Sequence, residues 1–577
     1  MRRTLLSADR APSEIQLHVD ETILDADAAA RFEDAVKATV TPRQLGGLAS
    51  AIGPLPTHEE TKQEKQGRWA SSEDASALAR AQCIELPEGS RWREFGGTEL
   101  EPLLSYTTLI DVRWLVRFAR MEVMPELQGV VPAWQQLPLD AEVQLQQLRC
   151  AEIFPGLPVG VLSYGWAAKE HPDPTGEQLQ RLLPMLEAIV KECDGGDWGD
   201  GISWGIVWDF MSLPQRGYTS GFDPDHDDRT PEQIERFRRG LANINVWYGA
   251  QFTHTLVLDT PMPRGAQNSA AIARRGWCIF ERCLSALVKH STCHLELSKY
   301  QAGPKSSTWL DLCGRCAADR KPPIAPDAFE QMLVEGVAAE QISPGSGIKF
   351  TSGKDLTDVV IPQYRSGFLH LFKKADLLEF SGLRWGSDGF TQVAASLRYT
   401  AEHCPPLALE FLCAVDCQIN DVGAQELAYT LRDLHHAFPS LENVYLFDND
   451  IQDVGMQALA SMLREVPSTS LPALKELSIF MNKSSWRSCL DVKAAAVQRS
   501  VDCDIRERPK RLSFWKRLVR VFWCCHSTDP ADESSGEPNE TRSAGQGGWA
   551  GHVSEWASAQ ASDAPAPDIV VATEESA

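Results

Sequence analysis

The chain has 577 residues, too many for one hydrophobic core, so two or three domains plus tails are expected. Its 79 acidic residues against 56 lysines and arginines leave a formal charge of −23. That balance excludes general nucleic-acid binding, because neutralising phosphates needs a basic face. Apolar content of 43% is ordinary for globular protein, and without a run of 18 or more apolar residues no transmembrane helix is expected. The 15 cysteines are dispersed and no signal-peptide core follows Met1, so they read as reduced thiols of a cytoplasmic protein.

Residues 1–95 mix short apolar patches with stretches such as Glu59-Glu-Thr-Lys-Gln-Glu-Lys-Gln-Gly67 and are expected to be largely disordered. Residues 96–150 read as a helical lead-in, with apolar residues three and four apart over Leu109–Met121 and Ala141–Leu148. Between 151 and 300 strand and helix signals alternate, the pattern of a parallel sheet. The strands are expected at Pro158–Tyr164, Trp204–Asp209, Thr253–Asp259 and His294–Leu297. The helices between them are expected at 176–190, with Pro184 as a kink, at 230–248, with Thr230 as N-cap and Pro231 at the first helical position, and at 275–289. The fold class is therefore α/β.

Residues 301–372 are interrupted by Pro and Gly and read as a connecting region with a short helix near 327–338. From 373 to 500 an internal repeat follows, in which Gly389, Gly423 and Gly455 align at intervals of 32–34 residues. Leu409, Leu412, Cys417 and Ile419 stand in one copy, and Leu441, Val444, Leu446, Asn449 and Ile451 in the next. One short strand and one helix per unit is the leucine-rich-repeat pattern. Asn-Asp-Val-Gly423 and Gln-Asp-Val-Gly455 resemble the turn into the helix of the ribonuclease-inhibitor subclass. That resemblance implies a short α/β solenoid with a protein partner on its concave face; a packing module without a ligand is the alternative.

In an open parallel sheet, ligands sit beyond the carboxyl ends of strands where strand order reverses. The side chains brought there by the expected strands are Tyr164 and Trp166, then Asp209, then Asp259. The loop after the first strand adds His171 and Asp173, and Arg275 and Trp277 precede Glu281 on the third helix. Aromatic rings stack bases, Arg pairs phosphate and carboxylates accept ribose hydroxyls, so such a crevice suits a dinucleotide or ribose. The plainer reading is that Glu281 pairs with Arg275 or Arg282, that the aspartates cap turns, and that the tryptophans belong to the core.

The motifs Ser163-Tyr-Gly-Trp166, Trp208-Asp-Phe-Met-Ser-Leu-Pro-Gln215 and Arg275-Gly-Trp-Cys-Ile-Phe-Glu281 together resemble the heterokaryon-incompatibility (HET)-like and Toll/interleukin-1-receptor-like (TIR-like) domains over residues 155–300. The resemblance implies a flavodoxin/TIR-like, three-layer domain that serves signalling and self-associates. In plant TIR domains the Glu of a Trp-Cys-Leu-x-Glu helix serves NAD cleavage. Carried onto Trp277-Cys-Ile-Phe-Glu281, this makes Glu281 the catalytic carboxylate and NAD the substrate, with no resident cofactor. The polar stretch Gly217–Asp228 departs from the TIR pattern, and no phosphate-binding loop is recognisable.

His290 and Cys293 with Cys313 and Cys316 have a spacing compatible with zinc, but Cys293 enters a strand, so no metal is expected. Near the C-terminus, residues 506–526 carry seven Lys or Arg against one acidic residue, and Leu512, Trp515, Val519 and Phe522 recur at helical spacing. This basic amphipathic helix suits the surface of an anionic membrane, the inner face being the expected place, with Cys524 and Cys525 as palmitoylation sites. A calmodulin-like partner, or the protein's own repeats, are the alternatives. Residues 527–577 read as a disordered acidic tail.

Overall fold

The structure is a computed structural model that describes residues 90–150, 156–195, 202–219, 226–301, 308–350, 352–467 and 469–505. The basic segment 506–526 with Cys524 and Cys525, the acidic tail and residues 1–89 lie outside the described residues.

The chain is α/β; among the described residues there are two five-stranded sheets in which all pairings but one are parallel. The first sheet holds β1 (Ile110–Asp111), β2 (Val159–Ser163), β3 (Gly205–Val207), β4 (His254–Val257) and β5 (His294–Glu296). Their spatial order is β1-β3-β2-β4-β5, with β1 antiparallel to β3 at the edge. The chain thus steps from β2 to β3 on one side and then crosses to β4 on the other, which puts the reversal of strand order beside β2.

Strand alternation feeds two cores. Val159, Val161 and Val207 point to one face, while Leu162, Ile206, Leu256 and Leu295 point to the other. The second face is covered by α1 (Val112–Ala119) and α2 (Glu177–Gly195). Asp111 starts α1 by accepting from the amides of Arg113 and Trp114 at 2.7 and 3.1 Å, which ends the edge strand after two residues. In α2 the stripe Leu179, Leu182, Leu186 and Ile189 is buried, with Pro184 inside the helix.

Thr230 caps α3 (Pro231–Ala242), as its sequence suggests, but the helix breaks at Asn243 before α4 (Ile244–Gly249). With α5 (Gly276–Val288), α4 covers the first face. The buried Phe280, Leu284 and Leu287 of α5 each contribute about 1.5–3 kcal/mol to that packing.

Two features differ from the sequence reading of the flanking regions. Residues 96–150 carry an edge strand and short turns of helix rather than two long helices, and the turn Arg91–Glu94, with Trp92 buried, precedes them. The connecting region holds α6 (Trp309–Cys316), α7 (Pro326–Ile342) and α8 (Ile361–Lys374). Prolines punctuate the sequence there, but Pro326 stands in the first turn of α7, where a missing N–H costs nothing, and Pro362 follows directly on a π-helical turn, Leu356–Val360, that leads into α8.

The second sheet runs in sequence order through β6 (Leu377–Glu379), β7 (Phe411–Cys413), β8 (Asn443–Tyr445), β9 (Glu476–Ser478) and β10 (Asp502–Asp504). Between them lie α9 (Gly386–His403), α10 (Asp421–Asp433), α11 (Asp453–Glu465) and α12 (Trp486–Gln498). Leu378, Leu412, Val444, Leu477 and Cys503 point from the strands to the helices. Asn449 joins two units: its Oδ1 accepts from the amides of Cys417 and Ile419 at 2.9 and 3.0 Å, and its Nδ2 donates to Ala414 O at 2.7 Å. Gly455 leaves room for the Asp421 carboxylate to accept its amide at 2.8 Å; a Cβ there would stand 2.6 Å from Ile451.

One continuous core runs from β2 and α5 through α7 and α8 into the second sheet. Arg320, buried between the two sheets, donates to Ala286 O of α5 at 3.1 Å and to Glu379 O of β6 at 2.9 Å.

Candidate functional site

At the carboxyl end of β2 the alternation that buries Val159 and Val161 turns Ser163 toward α5. There its Oγ donates to Glu281 Oε2 at 2.6 Å. Glu281 shares its helix face with Ser285, whose Oγ donates to Glu281 O at 2.8 Å and meets Thr255 Oγ1 of β4 at 2.8 Å. Tyr248 of α4 lies beside the carboxyl, its hydroxyl donating to Leu162 O at 2.8 Å. Cys278, one turn earlier, donates to Tyr164 O at 3.2 Å.

The second carboxyl comes from the end of β3. Strand ends there because Trp208 and Asp209 turn into the helical turn Asp209–Ser212. Asp209 accepts from Tyr164 OH at 2.6 Å, Trp166 Nε1 at 3.1 Å and its neighbour's amide, Phe210 N, at 2.7 Å. Rings wall the site: Tyr164 stands edge-on to Trp208 at 5.5 Å, and Trp166 edge-on to Phe210 at 5.7 Å.

Both carboxyls keep a small accessible surface but are set deep among heavy atoms. Burial pushes Glu281 well above the usual carboxylate range; the nearby Asp209 adds to this, and the Ser163 hydrogen bond only partly opposes it. Burial also raises Asp209, against the three donors that favour its anion. The two therefore divide their roles. Asp209, ringed by donors, is the more readily ionised of the two, while burial and the nearby Asp209 favour the protonated form of Glu281. The Tyr248 hydroxyl donates to Leu162 O and also lies in hydrogen-bonding reach of Glu281, where, like Ser163, it favours the carboxylate and partly opposes the effect of burial.

No family model and no curated protein matches the chain. Among solved structures, a match is the chain titled "Leiomodin-1 Actin-Binding Site 2 (ABS2)", at 12% identity and a TM-score of 0.20, over 27% of this chain and 85% of that one. At that TM-score nothing carries over from it.

The structure brings Glu281, Asp209, Tyr164 and Trp166 together, sets the His171 ring against Phe210 at 4.7 Å behind that wall, and engages the other sequence candidates in separate contacts. Arg275 is a correction to the phosphate-pairing expectation: its guanidinium is buried and donates to Ala270 O, Trp166 O and Asn268 O at 2.9, 2.7 and 2.6 Å, holding the loop before α5. The expected pairing of Glu281 with Arg275 or Arg282 is also overturned, since Arg282 pairs with Glu296 at 2.8 Å. Trp277 turns away from the crevice, its Nε1 donating to Asp355 at 2.9 Å. Asp259 accepts from the amide and hydroxyl of Ser298. Asp173 accepts from Leu179 N at the start of α2, and His171 accepts from Asp173 N and reaches Val131 O at 3.0 Å, so both shape a loop.

Ser163 and Tyr248 are the residues that sequence reasoning misses. Alternation along β2 could have assigned Ser163 to the α5 face; nothing in the sequence places Tyr248, which arrives from a separate helix. Cys293 and Cys313 are buried, and His290 caps the turn 291–293 by accepting from Thr292 N. An open groove of about 570 Å³ lies apart from the carboxyl pair, between Arg320, Lys321, Trp385 and Gln392.

Proposed function

We propose that the chain is a signalling protein that works by assembly. In this reading a TIR/HET-like domain is fixed to a leucine-rich-repeat solenoid that takes a protein partner on its open sheet face. The observation that carries it is the continuous core through α7 and α8 with Arg320 between the sheets, which makes the two sheets one body rather than two domains on a tether. The strand order of the first sheet, with its reversal at β2, supports the flavodoxin-type reading of that domain. The test is sedimentation of the purified full-length chain over a range of concentrations, with NAD present. Average mass should rise with concentration and nicotinamide should not appear. A chain that stays monomeric while releasing nicotinamide in proportion to its amount overturns the reading.

A second reading, favoured by the Glu281 and Asp209 pair at the strand ends, is an NAD-cleaving hydrolase. Stabilising an oxocarbenium-like ribose requires an anion, and the pair supplies it at Asp209, with Glu281 as the acid. On this reading Asp209→Asn abolishes nicotinamide release at least as completely as Glu281→Gln, and equal activity of both variants and wild type rejects it.

No helix among the described residues is long and apolar enough to cross a membrane. Attachment to an anionic membrane, in this proposal, is peripheral and uses the basic segment 506–526 with Cys524 and Cys525.

A further inference from the structure

Ser343-Pro344 is the one Ser-Pro step in the 577 residues, and it stands at the end of α7 in a run, 341–346, that is exposed throughout, Ile342 by 85%. Ser343 closes the helix: its amide donates to Ala339 O at 2.9 Å while its own backbone is already extended, with φ −133° and ψ 93°. That conformation is what a following proline imposes, since its ring crowds a helical residue before it. Thr-Pro occurs at 41, 230 and 260. Thr41 lies outside the described residues, and the other two are half-buried and engaged. Thr230 Oγ1 accepts from Gln233 N at 3.2 Å, and Thr260 Oγ1 accepts from Arg181 Nη1 at 3.1 Å.

The turn behind Ser343 is built around an anion. Glu340 accepts from Gly345 N and Gly347 N, each at 3.0 Å, from Arg274 Nη2 at 2.7 Å and from Lys349 Nζ at 3.2 Å. These contacts set residues 345–350 as a strap between α7 and the start of α5. Ile348 N donates to Gly336 O at 2.9 Å, Lys349 N to Arg274 O at 2.8 Å, and the amide of Gly276, the first residue of α5, to Lys349 O at 2.8 Å. The fit is tight on both sides: a Cβ on Gly347 would stand 2.1 Å from Gly336 O, and one on Gly276 would stand 2.0 Å from the Phe350 ring. The strap therefore depends on one carboxylate and on the two cations that it shares.

We propose that Ser343 is the phosphoryl acceptor of a proline-directed protein kinase, and that its modification loosens the strap from α7 and from the first residue of α5. A kinase of that class takes its serine in extended backbone with no N–H on the residue after it, and the folded chain presents both at an exposed turn. The γ-phosphoryl group of ATP passes to Ser343 Oγ, the hydroxyl proton goes to the kinase's base, and ADP leaves with the electron pair of the broken P–O bond. The product carries a charge of about −1.5 to −2. It lies at the carboxyl end of a 17-residue helix, where the helix dipole is itself negative, and three residues from Glu340. Arg274 and Lys349 already serve Glu340, so the new anion opposes that cluster instead of completing it. Neither functional reading is needed, because phosphate and backbone exchange are read without NAD or a partner.

The experiment incubates the full-length chain with a cyclin-dependent kinase and ATP, maps the phosphate by mass spectrometry, and compares hydrogen exchange with that of the untreated chain. Phosphate should appear on Ser343, and Pro344→Ala should slow its transfer at least tenfold. Amides over 345–349 and 276–277 should exchange about tenfold faster in the modified chain, which is about 1.4 kcal/mol, while those of β2 keep their rates. Ser343→Ala, treated in the same way, should keep the exchange of the untreated chain, and Ser343→Glu should reproduce part of the rise without kinase. Absence of phosphate from Ser343 overturns the proposal, as does equal modification of the Pro344→Ala chain. So does phosphate on Ser343 with exchange of the strap unchanged or slowed, or the same rise in treated Ser343→Ala, which points to a Thr-Pro site.

Discussion

Lys289 closes the helix that carries Glu281, and its burial makes the protein's stability depend on pH in a direction that can be worked out. It follows the last turn of α5 and is wholly buried. Its Nζ donates to Thr253 O at 2.7 Å, to Thr253 Oγ1 at 2.6 Å and to Ala250 O. Burial pulls its pKa from 10.5 to about 7. A drop of about 3.5 is worth about 5 kcal/mol. Between these values the unfolded chain keeps the proton that the folded chain has lost, so stability rises with pH across the window from 7 to 10.5, by about 1.4 kcal/mol per pH unit.

Lys289→Met removes that burden and leaves Thr253 O without its donor, a loss of about 1–3 kcal/mol. Near pH 6 the variant should therefore be more stable than wild type by about 2–4 kcal/mol, and above about pH 11 less stable by about 1–3 kcal/mol. Urea unfolding of both proteins, followed by tryptophan fluorescence at several pH values, measures the difference. Parallel pH profiles, with no crossing, would refute the reasoning.

Glu281 carries the opposite sign. Its raised pKa means the folded chain holds a proton that the unfolded chain releases above about 4.5, so wild-type stability falls as pH rises from there. Glu281→Gln should flatten that fall, giving a higher midpoint of urea unfolding at pH 8 and no advantage at pH 4. Gly276→Ala places a Cβ 2.0 Å from the Phe350 ring and should cost about 1–3 kcal/mol, which Phe350→Leu in the same chain should partly return in thermal melts. Arg320→Ala removes both carbonyl contacts between the sheets at a cost of about 3 kcal/mol. Unfolding should then split into two transitions, with new protease cleavage near 318–325.

How much of this was legible in the sequence depended on whether a residue's surroundings lay in its own element. The parallel strands at 159–163, 205–207, 254–257 and 294–296 could be read because near-continuous apolar runs mark strands covered on both faces. The edge strand Ile110–Asp111 could not, since its two residues sit inside a helical pattern that only Asp111, as N-cap, interrupts. Among site residues, Tyr164 and Asp209 were visible as polar groups at strand ends. Arg275 looked like a ligand-binding cation for the same reason, and only the fold supplies the three backbone carbonyls that occupy it. The long helix at 361–374 was hidden by Pro362, which usually breaks a helix interior but here is accommodated just after the π-helical turn Leu356–Val360.

The position of Glu281 and Ala286 on one helix ties the carboxyl pair to the repeats. The two residues are five apart, about 7.5 Å along the axis of α5, and the helix is held at one by Ser163 and at the other by Arg320, which in turn holds Glu379 of β6. Phe280, Leu284 and Leu287, on and around this stretch, are fully buried, so α5 is closely packed along it. If the pair binds a ligand, as the hydrolase reading requires, one that takes the Ser163 hydroxyl from Glu281 acts on the helix that Arg320 contacts. A ligand that leaves the Ser163 bond intact has no such route. On that reading, Ser163→Ala should weaken any response of the second sheet to a ligand at the pair, while Trp166→Phe, which alters the far wall and spares α5, should weaken binding and leave the response per bound ligand unchanged.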